Sequence, residues 1–161
     1  MTLRLTGLFG LAIMVAAIAT AWGFQLIGGL IPCALCLEQR VPYYAAIPLA
    51  AAAVILAGLT PLLPRILLLG AAIAMVYGAG LGVYHAGAEW AFWAGPNTCG
   101  DTGAAVTNAA GLLGQMEDTT FVSCTQDTGR VLGLSFAGWN VVSASFAALL
   151  LVAAATRPIK R

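Results

Sequence analysis

Cys33 and Cys36 stand with two residues between them in Ile31-Pro32-Cys33-Ala34-Leu35-Cys36-Leu37-Glu38-Gln39-Arg40, and Arg40 follows four positions after the second sulfur. A Cys-x-x-Cys pair supports three chemistries. It can be a redox dithiol, because its short spacing closes a small ring. It can be half of a zinc site, which needs a matching pair elsewhere. Cys99 and Cys124 are 25 positions apart and His85 is the only histidine, so that second half is missing and no metal is expected. It can also be two cysteines packed in apolar surroundings. If Pro32 takes the first helical position, both sulfurs fall in a first turn, where free N–H groups and the helix dipole favour a thiolate. Arg40 then lies one turn beyond Cys36 on the same face. Its guanidinium could steady the Cys36 thiolate or hold an anionic oxygen of a bound cofactor; its plainer role is an interfacial anchor. A helix that begins only at Pro42 would break this same-face relation.

The elements that position these groups follow from composition. Of 161 residues, 61% are hydrophobic and 8% charged, against about 25% charged in soluble domains. Lipid is therefore the expected solvent, and a net charge of +1 gives no case for nucleic acid. Crossing a bilayer takes roughly 20 helical residues. Four runs qualify, at about 5–24, 41–59, 66–84 and 134–155, and none holds a Lys, Arg, Asp or Glu. Backbone in lipid must satisfy its own hydrogen bonds, so all four are expected as helices. The expected fold is an all-α membrane protein: one domain over 1–161, a four-transmembrane-helix bundle. Gly78 and Gly82 form a small-xxx-small pair that would let helices approach closely. A cleaved signal peptide ending near Ala19-Thr20-Ala21 is the rival reading of the first run.

Charge orients the bundle. Arg4, Arg65, Arg157, Lys160 and Arg161 fall at one end, which the positive-inside rule makes cytoplasmic. All six acidic residues fall at the other end, with Trp22, Trp90, Trp93 and Trp139 as an interfacial belt. Both termini are expected inside and all four cysteines outside, in loops 25–40 and 85–133. The longer loop lies between helices 3 and 4 and exceeds a bare connector. Ala105, Ala109, Leu112, Leu113 and Met116 would give it a surface helix, with irregular loop as the alternative. A Cys99–Cys124 bond there would be open to attack by a soluble thiol. His85, at the end of the third run, is read as a solvated or hydrogen-bonded boundary residue, or as a proton donor or cofactor-oxygen partner near Arg40. Glu38 is expected to face solvent.

These residues resemble a known signature. Phe24-Gln25, Pro32-Cys33-Ala34-Leu35-Cys36, Arg40, Tyr84-His85, Thr98-Cys99, Cys124 and the fourth run from Leu134-Ser135-Phe136-Ala137-Gly138-Trp139 are similar to the DsbB family of disulfide bond formation proteins. The resemblance implies an enzyme of the bacterial inner membrane, with a periplasmic loop between helices 3 and 4. That enzyme reoxidises a DsbA-like periplasmic thiol oxidase and reduces a membrane quinone, ubiquinone or menaquinone. It implies that Cys99 and Cys124 exchange with the soluble partner, and that Cys33 and Cys36 lie beside the quinone. Cys36 would be the thiolate in contact with it, Arg40 would lie close by, and His85 would also bind the cofactor. The nearest rival is a vitamin K epoxide reductase-like oxidoreductase, in which the Cys-x-x-Cys comes after the loop cysteines rather than before them. A non-enzymatic membrane scaffold with two structural disulfides is the rival from another class.

Overall fold

The structure, a computed structural model, describes residues 2–95 and 130–159. The described elements are α1 (Leu3–Leu26), α2 (Ala34–Glu38), α3 (Val41–Leu56), α4 (Leu63–Glu89), β1 (Arg130–Val131), β2 (Leu134–Ser135) and α5 (Phe136–Thr156). Among the described residues four stretches are long and apolar enough to cross a membrane: α1, Ala34–Leu56, α4 and α5. Helices α1 and α4 each pack against both α3 and α5, which closes a four-helix ring.

The residues sort as lipid demands. Alanines fill the interior (Ala46, Ala50, Ala53, Ala71, Ala144, Ala147, Ala154), while Ile55, Ile73, Val76 and Leu149 face outward. With hydrocarbon outside, helices gain little from hiding large aliphatics and more from close backbone contact. Gly78 and Gly82 do this on α4. A Cβ on Gly78 would press on Pro42 at 3.1 Å, and one on Gly82 would meet Val141 at 2.9 Å and Asn140 at 3.0 Å. Gly80, between them, faces open space. Overpacking a tight contact costs about 1–3 kcal/mol. Gly82→Leu should therefore lower the thermal unfolding midpoint of the purified protein, and Gly80→Leu should leave it in place.

Both ends of the described chain meet at one end of the bundle, where the Leu3 N–H donates to the Pro158 carbonyl at 3.3 Å. Arg4 lies at this end, against Gly58 after α3.

The second membrane-length stretch begins ahead of residue 41, and it is broken. Pro42 has no N–H to give and its ring crowds the carbonyl four residues back. The helix accordingly stops at Glu38, turns through Gln39 and Arg40, and restarts with proline in its first turn. Pro32 does not open α2. Cys33 is the cap, and its sulfur accepts the Cys36 N–H at 3.3 Å as a serine oxygen would.

Helix α4 runs past Tyr84 to Glu89, so His85 lies inside it rather than opening the loop. Nothing in Ala86-Gly87-Ala88 breaks a helix. Beyond it, Ala91 takes φ 58° and turns the chain back. The Trp93 ring then lies on Gly87, where any side chain would collide with it, and its indole N–H donates to the Tyr84 carbonyl at 2.8 Å.

Ahead of α5, β1 and β2 pair antiparallel, Arg130 with Ser135 and Val131 with Leu134. Leu132 and Gly133 both have positive φ, 54° and 85°, as the commonest two-residue hairpin turn requires. Ser135 then caps α5 by accepting the Gly138 N–H. The surface helix expected near 105–116, Cys99 and Cys124 all lie outside the described residues.

Candidate active site

The Cys33 and Cys36 sulfurs are 2.9 Å apart, as two free thiols. Cys33 is buried and Cys36 half-buried. Cys33 stands one residue ahead of the membrane-length stretch. The hydrogen bond from Cys36 holds it well below the ordinary thiol range; burial opposes this, while His85 and the Cys36 N–H add to it. Two sulfurs, a ring nitrogen and their mutual distances under 4.8 Å make a trio that could meet a metal. Thiolates on one tetrahedral zinc sit roughly 3.7 Å apart, given Zn–S bonds of about 2.3 Å. The shorter approach seen here suits sulfur–sulfur chemistry better.

His85 is buried, 3% exposed, and not a solvated boundary residue. Its Nδ1 is 2.6 Å from the Gln39 amide nitrogen. An amide nitrogen only donates, so in this arrangement Nδ1 accepts and the ring hydrogen sits on Nε2. That Nε2 faces the Cys33 sulfur at 3.8 Å and Glu89 Oε1 at 3.7 Å. His85 and Glu89 are four apart on α4 and therefore share a face.

Beside the dithiol lies a cavity of about 530 Å³. Its walls come from α1 (Ala17, Ala21, Phe24, Gln25), the chain before α2 (Leu30, Ile31, Pro32), α5 (Phe136, Asn140, Ser143) and the hairpin (Val131, Leu132). Cys36, Gln39, Arg40, Tyr43 and His85 also line it; Cys33 does not. Phe24 and Phe136 meet edge to face at 4.9 Å and close one side.

Arg40 is buried on this wall. The break before α3 turns it toward α1, where it donates to Gln25 Oε1 at 2.7 Å and the Ala21 carbonyl at 3.5 Å. Its guanidinium lies over the Trp22 ring at 5.4 Å. Among the described residues no carboxylate pairs with it. A buried guanidinium held only by neutral groups keeps most of its charge for whatever enters the cavity. The lining also carries a neutral polar set: the Tyr43 hydroxyl bonds Asn140 Oδ1 and Ser143 Oγ, both at 2.9 Å, and the Asn140 amide donates to the Gly78 carbonyl.

The family model described as "Disulfide bond formation protein DsbB" matches residues 3–155, nearly the whole chain. The chain belongs to the DsbB family. No curated protein and no solved structure compared with it gives a match. Membership makes this a multi-pass membrane oxidoreductase of disulfide bond formation, and DsbB proteins use quinones.

Of the residues picked out in the sequence, the fold brings Cys33, Cys36, Arg40 and His85 together. Arg40 reaches the site from its bonds to α1, not from the face of Cys36. Sequence reading gave no role to Gln25, quoted only within the family signature, or to Gln39, Tyr43, Asn140 and Glu89. For Glu89 a signal was present: its spacing of four from His85.

Proposed function

We propose that this DsbB protein is a thiol:quinone oxidoreductase that reoxidises a DsbA-like periplasmic thiol oxidase. The observation that carries the reading is the shared cavity wall: one sulfur of a close dithiol and a buried guanidinium without a carboxylate partner. The cavity's size is within the range of about 300–1,000 Å³ usual for small ligands, and its apolar walls suit a lipid-soluble one.

A bound quinone, ubiquinone or menaquinone, supplies a two-electron acceptor. Arg40 would hold one of its oxygens, with His85 and the Tyr43–Asn140 set as further polar groups on the wall. Cys36 presents its sulfur to the cavity. Cys33, off that wall, is the sulfur left to exchange with the Cys99–Cys124 pair, which takes electrons from the soluble partner. A strong acceptor is needed on energetic grounds. DsbA-type dithiols have potentials near −120 mV, so a disulfide near −180 mV would oxidise them uphill by about 60 mV, or ~2.8 kcal/mol. In the proposed orientation the end holding Leu3 and Pro158 is cytoplasmic and all four cysteines face the periplasm.

The test is quinone reduction by the purified full-length protein, followed by quinone absorbance, with a reduced DsbA-like protein as donor. Turnover is expected only when donor and quinone are both present. If quinone is not reduced under those conditions, the reading fails. Cys99→Ser should abolish turnover with the soluble donor, yet a pre-reduced Cys33–Cys36 pair should still reduce quinone once per molecule.

A further inference from the structure

We propose that Glu89 acts through His85 to keep Cys33 ionised: the ring between them holds the proton that Cys33 gives up, and the Glu89 carboxylate balances the charge. This rests on Cys33 and Cys36 being the redox pair, and it adds a positioning residue to that site.

The starting observation is an unsatisfied group. The Glu89 side chain is only 4% exposed, and its Oε2 has no hydrogen-bond partner among the described residues. A buried carboxylate oxygen without a donor is costly as an anion unless a cation compensates it. The neighbouring group that can become that cation is His85, with Nε2 at 3.7 Å from Oε1. The same Nε2 is 3.8 Å from the Cys33 sulfur. One ring nitrogen thus stands between two groups that are each negative when ionised.

The surroundings leave little else to do this. The titratable groups facing the pair from the α2 side are Cys33 and Cys36. Arg40 is turned to Gln25 and Ala21, Tyr43 is bonded to Asn140 and Ser143, and Glu38 and Arg130 are exposed. Helix α5 carries no titratable side chain, and Arg4, the one on α1, lies at the far end.

The proton balance is simple. Once the Gln39 amide has turned to accept from Nδ1–H, the Nε2 lone pair faces Cys33; the Cys33 S–H bond then breaks and an Nε2–H bond forms, and no other covalent bond changes. The charged ring has two N–H donors. Nε2–H serves the thiolate and Glu89, while Nδ1–H needs an acceptor. Gln39 provides one by a half-turn of its amide, which puts oxygen where nitrogen stands at the same volume.

Glu89 has two opposing influences on Cys33, and they differ in sign. Directly, a like charge disfavours the thiolate. Through His85, it sustains the cation that favours the thiolate. The proposal requires the second to win, because His85 stands between Glu89 and the sulfur.

The experiment uses the full chain in detergent with Cys36→Ser, Cys99→Ser and Cys124→Ser, leaving Cys33 as the single thiol. Its rate of alkylation by iodoacetamide is measured against pH. Glu89→Gln should move the midpoint up by about one pH unit, a roughly tenfold loss of reactivity at fixed pH below it. His85→Gln should do the same, Glu89→Gln should add nothing in the His85→Gln background, and Glu89→Asp should restore most of the effect. An unchanged or lowered midpoint in Glu89→Gln, or additive effects, would overturn the proposal. If the Glu89→Gln protein does not fold, the unsubstituted chain still decides. His85 is its only histidine, so ¹⁵N resonances of the reduced protein at neutral pH report that one ring. Two N–H signals support the proposal, and one overturns it. Neither measurement needs quinone or a thiol partner, so failure here leaves the thiol:quinone reading standing, and the reverse.

Discussion

Replacing Cys36 with serine takes quinone reduction to the background of membranes lacking the protein and leaves the bundle folded. Two facts make this the largest expected effect. Cys36 is the sulfur on the cavity wall, and Cys33 is not. A serine hydroxyl cannot join an S–S bond, so the substitution removes the electron route itself rather than slowing one step. The fold should tolerate it. The Cys36 backbone N–H still caps on the Cys33 sulfur, and a serine O–H reaches the position of the present S–H contact. The informative measurement compares two pre-reduced proteins mixed with quinone without any thiol donor, with helicity followed by circular dichroism. If the pre-reduced Cys36→Ser protein still reduced quinone as the unsubstituted protein does, the electron route through Cys36 would be wrong.

How far the sequence disclosed this site depends on which force places each residue. The four helices and the shared end of the termini were legible because burying charge in lipid is costly, and that cost is written in every charged position. Arg4, Arg65 and Arg157 mark one end for this reason alone. The close approach of Cys33 and Cys36 was legible because their spacing is local. The break at Gln39–Arg40 was half legible: Pro42 announced it, but only packing decides that the turn sends the guanidinium to Gln25 and Trp22 on α1. The end of α4 was misjudged because hydropathy falls off after Tyr84, whereas the helix continues for lack of any breaker and is covered by Trp93 on Gly87. Asn140 and Tyr43 were invisible as a pair. Each is a polar residue inside an apolar run, and they meet across 97 positions only once α4 closes on α3 through Gly78 and on α5 through Gly82.

Arg40→Gln is expected to weaken quinone use by about 10- to 100-fold in KM while leaving exchange between the soluble thiol partner and the loop cysteines unchanged. The magnitude follows from a charged hydrogen bond, worth about 1.5–3 kcal/mol when its partner is retained. The separation of the two effects follows from position: Arg40 lies on the cavity wall, bonded to Gln25 and Ala21, and its charge is matched by no carboxylate among the described residues. Glutamine keeps a donor near Gln25 and removes the charge, so it tests the charge and not the packing. Arg40→Lys adds a second discrimination. Lysine restores the charge but not the planar fork that bonds Gln25 and lies over Trp22, so it should recover only part of the lost affinity. An interfacial anchor would behave differently. Both cationic side chains would serve equally, and the glutamine variant would lose stability without any specific change in quinone KM. Steady-state kinetics at varied quinone and fixed saturating thiol donor, read beside the thermal midpoints of the three proteins, separates the two roles.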